Sequence, residues 1–315
     1  MQLDFFTVIS NLSGLFILIA VGYLAVKLKV VSPESSIEFS SMLLKITLPC
    51  TIFISLVQRP YDTTFIHDSA IMFVEGLIIF SALLYLGRYT AKLIRVPEGC
   101  RGVWASSVAF GNSGFMGFPM ALALFGVDGL ALAVILNITF NMTFYTLAAL
   151  EISRDNPNHN AEKINMKSII FSNINFSTVL SLIFYFGRIR VPVEIARPIS
   201  YLSGITTPLS MMLIGMALAK TSKASEFFTD LHAWTSALFS LIIFPIAVSM
   251  IFKFFRLGGN PLISSVIILV MAMPAATVTP VLCEMYHGNL SFAAKIMFIQ
   301  NLLAVVTIPL VCLTI

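Results

Sequence analysis

Gly111-Asn112-Ser113-Gly114-Phe115-Met116-Gly117-Phe118-Pro119 interrupts an apolar run from Gly102 to Phe125, and Met273-Pro274-Ala275-Ala276-Thr277-Val278-Thr279-Pro280 interrupts another from Pro261 to Met285. Proline has no N–H for the helical ladder, and its ring clashes with the carbonyl four residues back. Pro119 therefore frees the Phe115 carbonyl, Pro274 that of Val270 and Pro280 that of Ala276. In hydrocarbon, such freed groups survive only where protein, water or a ligand satisfies them. One proline of this kind reads as a plain kink. Two interrupted spans in corresponding positions read as a midplane binding site built from broken helices.

The surroundings of these stretches are membrane-like. Hydrophobic residues make up 58% of the 315 positions and charged residues 11%, against about 45–50% and about 25% in soluble domains. A soluble fold of this size would need more polar residues to cover its surface. The net charge of +4 is scattered, with no basic stripe alternating with aromatics, which speaks against nucleic acid. Cys50, Cys100, Cys283 and Cys312 lack C-x-x-C spacing, and the four histidines are dispersed, so neither a metal nor a disulfide framework is expected. The first apolar run has no basic residues before it and no small-x-small cleavage site, so it reads as a membrane helix rather than a signal peptide.

A helix that spans the membrane needs about 20 mostly apolar residues. On that criterion the chain divides into ten spans: Phe6 to Val26, Ile37 to Val57, Ser69 to Leu93, Gly102 to Phe125, Gly129 to Leu150, Ser168 to Phe186, Pro198 to Ala219, Ala233 to Phe255, Pro261 to Met285 and Ser291 to Leu313. Residues 1–150 form a first set of five, 151–167 a polar linker and 168–315 a second set. With ten spans both termini share a side. Placing them outside puts twelve Lys and Arg residues in cytoplasmic loops and six opposite, which the positive-inside rule favours. The expected location is the plasma (inner) membrane.

Five spans per half means that a duplicated half enters the membrane inverted. Traces of duplication are present. Gly22 and Pro33 are matched by Gly187 and Pro198 at the same spacing, Ile46-Thr47-Leu48-Pro49 is answered by Ile205-Thr206-Thr207-Pro208, and Pro119 and Pro280 lie 161 residues apart, near the offsets of the other pairs.

The chain resembles the auxin efflux carrier family nearly end to end. The resemblance rests on Gly22-Tyr23-Leu24 with Ser32-Pro33, Leu48-Pro49, the Gly111 to Pro119 motif, Thr207-Pro208-Leu209 with Gly215, and Ala272-Met273-Pro274-Ala275-Ala276-Thr277. It implies an all-α membrane fold of two inverted five-helix repeats with broken, crossing fourth and ninth helices. Spans one, two, six and seven would form a scaffold, and spans three to five and eight to ten a transport unit. Bacterial members are often linked to small organic acids such as malate or malonate. Bile acid sodium symporters and some sodium/proton antiporters share the arrangement, which suggests elevator-like movement by analogy.

The resemblance also places a substrate-site asparagine at Asn112. From the residues alone, Asn112 and Ser113 either contact substrate or cap the broken backbone, with Gly114 beside them. Thr279 before Pro280 reads as N-cap and first residue of a new half-helix, and Thr277 as facing the cavity. Half-helix N-termini near the midplane would place partial positive charge where a carboxylate could bind. Asn137 and Asn141 share a helix face and serve either as interhelical glue or as substrate contacts; Gln300 and Asn301 carry the same ambiguity. Glu75 is the one carboxylate well inside an apolar run, a candidate for proton or sodium coupling unless it reaches the outer interface. Lys45 either snorkels or pairs with a carboxylate.

The expectation is a secondary transporter of a small organic anion, coupled to H+ or Na+, surrounded by lipid and compatible with a homodimer. The second reading is a cation/proton antiporter or sodium symporter, which would call for clustered intramembrane acids. No enzyme constellation, cofactor motif or ATP-binding fingerprint is visible.

Overall fold

The computed structural model describes residues 5–32, 34–156, 173–220, 227–255 and 259–315, with the side chains of residues 5–11 and of Lys220 excepted. The polar linker is therefore described only as far as Asn156. Its remainder with Lys163 and Lys167, the Ser168 start of the sixth expected span, and Pro33, Lys223 and Arg256 lie outside the described residues.

All regular structure among the described residues is helical. In chain order the helices are α1 (Phe5–Lys27), α2 (Ser35–Val57), α3 (Thr63–Leu93), α4 (Arg101–Ala109), α5 (Ser113–Ser153), α6 (Asn173–Phe186), α7 (Val193–Lys220), α8 (Leu231–Phe255), α9 (Pro261–Met271), α10 (Thr279–Met285) and α11 (Leu290–Cys312). Among the described residues six helices are long and apolar enough to cross a membrane, and shorter apolar helices accompany them. Their outer faces carry large exposed apolar side chains such as Ile17, Val74, Ile78, Phe176, Ile183 and Met250. Only lipid makes such a surface favourable.

The helix ends follow from local chemistry. The Asp62, Asn260 and Asn289 side chains accept from the backbone N–H groups of Thr64, Leu262 and Phe292 at 2.9, 3.0 and 2.9 Å, starting α3, α9 and α11. Asp230 does the same for α8 through His232 and Ala233. The boundary expected between the fourth and fifth spans falls at Gly126, whose φ of 67° and ψ of −159° break α5 internally. Glycine enters that conformation without steric cost.

The helices pack as two groups. Helix α1 lies along α7, and α2 packs against α6 and α7; the densest remaining packing joins α3, α4 and α5 to one another, α9 to α5, and α11 to α8, α10 and α4. Contacts between the groups are thin. Within the first group the backbones almost touch: a Cβ on Gly215 would sit 1.9 Å from the Ile19 carbonyl oxygen, and one on Gly22 2.1 Å from that of Met212. Thr51 Oγ1 donates to Thr206 Oγ1 at 2.7 Å and accepts from Ser203 Oγ at 3.1 Å, tying α2 to α7. Small residues at the contact and hydroxyls between helices are how membrane helices associate where lipid removes the hydrophobic drive.

The second group is held at one end by ions and in its middle by aromatic rings. Asp155 Oδ2 accepts from the Gly102 and Val103 N–H groups at 2.6 and 3.3 Å, and Arg88 donates to Asp155 Oδ1 at 2.7 Å. Glu151 adds to this network through Arg88 and Arg154. Asp155 thus fixes where α4 begins. Where α4 ends, Phe110 stacks on Phe80 at 5.2 Å and meets Phe140 and Phe144 edge-on.

Two outcomes follow. Gly215→Leu drives a side chain into the α1 backbone; overpacking costs about 1–3 kcal/mol or more, and the thermal unfolding midpoint in detergent falls accordingly. Burial pushes the Asp155 carboxyl above the usual carboxylate range, against the pull of Arg88 and of the Gly102 and Val103 N–H groups. A carboxyl raised in the folded state adds stability below its ordinary pKa of about 4 and loses that contribution as pH climbs through the raised value. Asp155→Asn removes this component, so its unfolding midpoint falls less than that of the wild-type chain as pH rises above the ordinary carboxylate pKa of about 4.

Candidate functional site at the crossing of two broken segments

The interruption between α4 and α5 and the one between α9 and α10 meet. Asn112 N–H donates to the Pro274 carbonyl at 2.7 Å, Ala276 N–H donates to the Phe110 carbonyl at 3.0 Å, and Gly111 and Ala275 form an antiparallel bridge. Each unwound segment therefore supplies partners for the other. Gly111 is required here, because a Cβ would fall 2.5 Å from the Val270 carbonyl oxygen and 3.0 Å from that of Met273.

Side chains satisfy what the bridge leaves. Gln300, fully buried on α11, accepts from Ala275 N–H at 2.7 Å and donates to the Ser107 carbonyl at 3.4 Å and to Ser236 Oγ at 3.3 Å. Asn112 Oδ1 accepts from Phe115 N–H at 3.0 Å, capping the wide turn Ser113–Gly117 that opens α5. The capping role foreseen for Asn112 is thus present. Its Nδ2 is buried and makes no hydrogen bond to the described residues. Ser113 Oγ donates to Asn137 Oδ1 at 2.8 Å.

At the second interruption the expected helix start moves by one residue. Val278 precedes α10, Thr279 is its first helical residue and Pro280 follows, so Thr279 is no N-cap. Its Oγ1 is buried without a hydrogen bond to the described residues. Proline fixes only its own φ, and helical geometry continues one residue upstream of it. Helix α10 has only seven residues, so its N-terminus carries a weaker dipole than the longer α5.

Two adjoining cavities lie at the crossing. The smaller, about 60 Å³, is lined by Asn112, Ser113, Gly114, Asn137, Asn141 and Tyr145 together with apolar residues; the larger, about 660 Å³, is lined mainly by apolar side chains including Leu213, Phe227, Val281 and Phe298. They share Leu44, Phe115, Thr277 and Val278, and among the described residues no charged side chain lines either. Of the residues singled out in the sequence, Pro280 lines the larger cavity and Thr277 both. Pro119, Pro274 and Thr279 line neither: Pro119 sits at the start of the helical part of α5, and Pro274 offers its carbonyl to Asn112. Glu75 is half-buried on α3 and lines neither cavity. Lys45 is exposed, and its carbonyl accepts from Asn173 Nδ2.

Sequence reasoning passed over Phe115, Tyr145 and Val278, because apolar or aromatic residues in a membrane helix carry no pattern that marks a cavity wall. Asn141 bonds to Asn175 of α6 at 2.7 Å. Asn301 donates to the Met297 carbonyl at 2.7 Å and lines the larger cavity.

Gln300→Leu removes the partners of Ala275 N–H and the Ser107 carbonyl. Leaving buried polar groups unsatisfied costs about 1–3 kcal/mol each, so the unfolding midpoint in detergent drops, while Asn301→Leu, which breaks only a contact within its own helix, changes it far less.

The chain matches a family model described as membrane transport protein over residues 7–312. It is 25% identical over 303 residues to an "uncharacterized transporter" of Methanocaldococcus jannaschii, covering 93% of this chain and 94% of that one. It is 26% identical over 302 residues to another "uncharacterized transporter" of Methanothermobacter thermautotrophicus, covering 94% and 95%. With apolar helices of spanning length and a family match along nearly its whole length, the chain is a multi-pass membrane protein that belongs to the membrane transport protein family, that of the auxin efflux carriers.

Proposed function

We propose that the chain is a secondary active transporter of a small organic anion, a mono- or dicarboxylate, moved by elevator-like alternating access and coupled to a proton or another ion. The observation that carries this reading is the small cavity at the crossing, where Asn112, Ser113, Asn137, Asn141, Tyr145 and Thr277 stand among apolar side chains and no charged side chain of the described residues takes part. Amide donors and the N-terminal end of α5 suit a carboxylate. With no lysine or arginine among the described lining residues to match a second charge, the site favours a single negative charge, carried by a monocarboxylate or a singly protonated dicarboxylate. The larger apolar cavity adjoining it suits the body of such an acid.

In this reading the ten expected spans form two inverted five-helix repeats in the plasma (inner) membrane, both termini face the non-cytoplasmic side, and the protein is free to pair as a homodimer. The α1, α2, α6, α7 group serves as scaffold and the other as transport unit, a division supported by the thin packing between them. The cation/proton antiporter or sodium symporter reading ranks second, because among the described residues no carboxylate lines either cavity. Glu75 is the proposed coupling group, acting from outside the substrate cavity.

Uptake into proteoliposomes of a panel of labelled mono- and dicarboxylates, at two pH values with and without sodium, tests the reading. Asn112→Ala is expected to reduce uptake at least tenfold, and Glu75→Gln to abolish its dependence on pH or sodium. Clear cation flux with every organic acid excluded would transfer the assignment to the antiporter reading.

A further inference from the structure

We propose that the Asn141–Asn175 hydrogen bond is a ligand-sensitive tie between the two helix groups, so that filling the small cavity releases one group from the other. The proposal rests on the anion-carrier reading above and adds to it a residue that couples occupancy to movement.

Asn141 differs from the other polar residues around the cavity in where its partner lies. Asn137, one turn earlier on α5, accepts from Ser113 at the start of that same helix, and Asn112 caps its own turn. Both bonds stay inside one helix group whatever the groups do relative to each other. Asn141 also lines the cavity, yet its Nδ2 donates at 2.7 Å to Asn175 Oδ1 on α6, which packs with α2 in the other group. This bond has to break if the groups slide.

A carboxylate in the small cavity is a better acceptor than the neutral Asn175 amide, since a charge-assisted hydrogen bond is roughly twice as strong as a neutral one. The 2.7 Å contact with Asn175 holds the Asn141 amide in one orientation, and rotating that amide toward the anion lengthens the contact beyond hydrogen-bond range. The empty protein is then held by the tie, and the loaded one is released. Two further polar contacts join the groups: Arg59 with Asp128, from the α2–α3 connection to the turn within α5, and Tyr185 Oη of α6 with the Asp62 backbone at the start of α3. None of these residues lines either cavity, so both contacts respond to movement and not to ligand.

The test measures distances between spin labels on Tyr201→Cys in α7 and Leu93→Cys in α3, in a Cys50→Ser background of the full chain, with and without malonate or benzoate. In the empty protein, Asn175→Leu is expected to shift the ratio of the two distance populations by about fivefold, the order of one neutral hydrogen bond. Asn175→Asp strengthens the acceptor and is expected to shift it the other way and to blunt the response to ligand. Asp128→Asn shifts the empty protein but keeps the full ligand response. Identical populations in empty wild type, Asn175→Leu and Asn175→Asp overturn the tie, and an undiminished ligand response in Asn175→Asp overturns its sensitivity to ligand. If no acid is taken up or bound, the carrier reading fails, while the comparison of empty variants still decides whether the bond holds the groups together.

Discussion

A peptide group freed from a helix inside a membrane must find another partner, and here two interrupted helices find each other. Prolines and glycines unwind the chain near Gly111 and near Ala275, and the two unwound pieces exchange backbone hydrogen bonds through Asn112 with Pro274 and Ala276 with Phe110. In an apolar medium each unsatisfied group would cost several kcal/mol. Neither interruption is affordable alone, so the crossing is one unit rather than two independent kinks. Gln300 and Asn112 complete it by serving the groups that the bridge does not reach.

The rest of the architecture keeps this unit in place. Asp155 sets the start of α4 from one end, the Phe80, Phe110, Phe140 and Phe144 cluster packs its other end against α3 and α5, and α11 brings Gln300 to the second interruption. These contacts lie within one helix group. The other group is joined by near contact of backbones at Gly22 and Gly215 and by hydroxyls on α2 and α7. Packing is dense within each group and sparser between the two.

Charge is sorted along the same lines. The ion pairs among the described residues sit toward helix ends and connections: Lys295 with Asp230 and Arg59 with Asp128 in partial contact with solvent, and Arg88 with a buried Asp155 whose other oxygen is met by backbone N–H groups. Among the described residues, no charged side chain lines the cavities at the crossing.

Residue order alone determined that this chain is helical and lives in lipid and that two of its apolar runs must break, because apolar length, proline and glycine act through local physics; the ten-span division it suggested meets six helices of spanning length among the described residues. It also pointed to Asn112, Ser113 and Thr277 near the breaks. Tertiary structure decided the rest. That the breaks pair backbone to backbone, that Gln300 is a structural clamp while Asn141 reaches across to α6, and that Glu75 stands apart from the cavities all depend on partners distant in the chain. Thr279 lost its expected capping role because the exact start of a short helix depends on the packing of its neighbours as well as on the proline that follows. Hydrogen-bond partners between helices are chosen by three-dimensional proximity, and a polar residue in an apolar run announces only that it needs one.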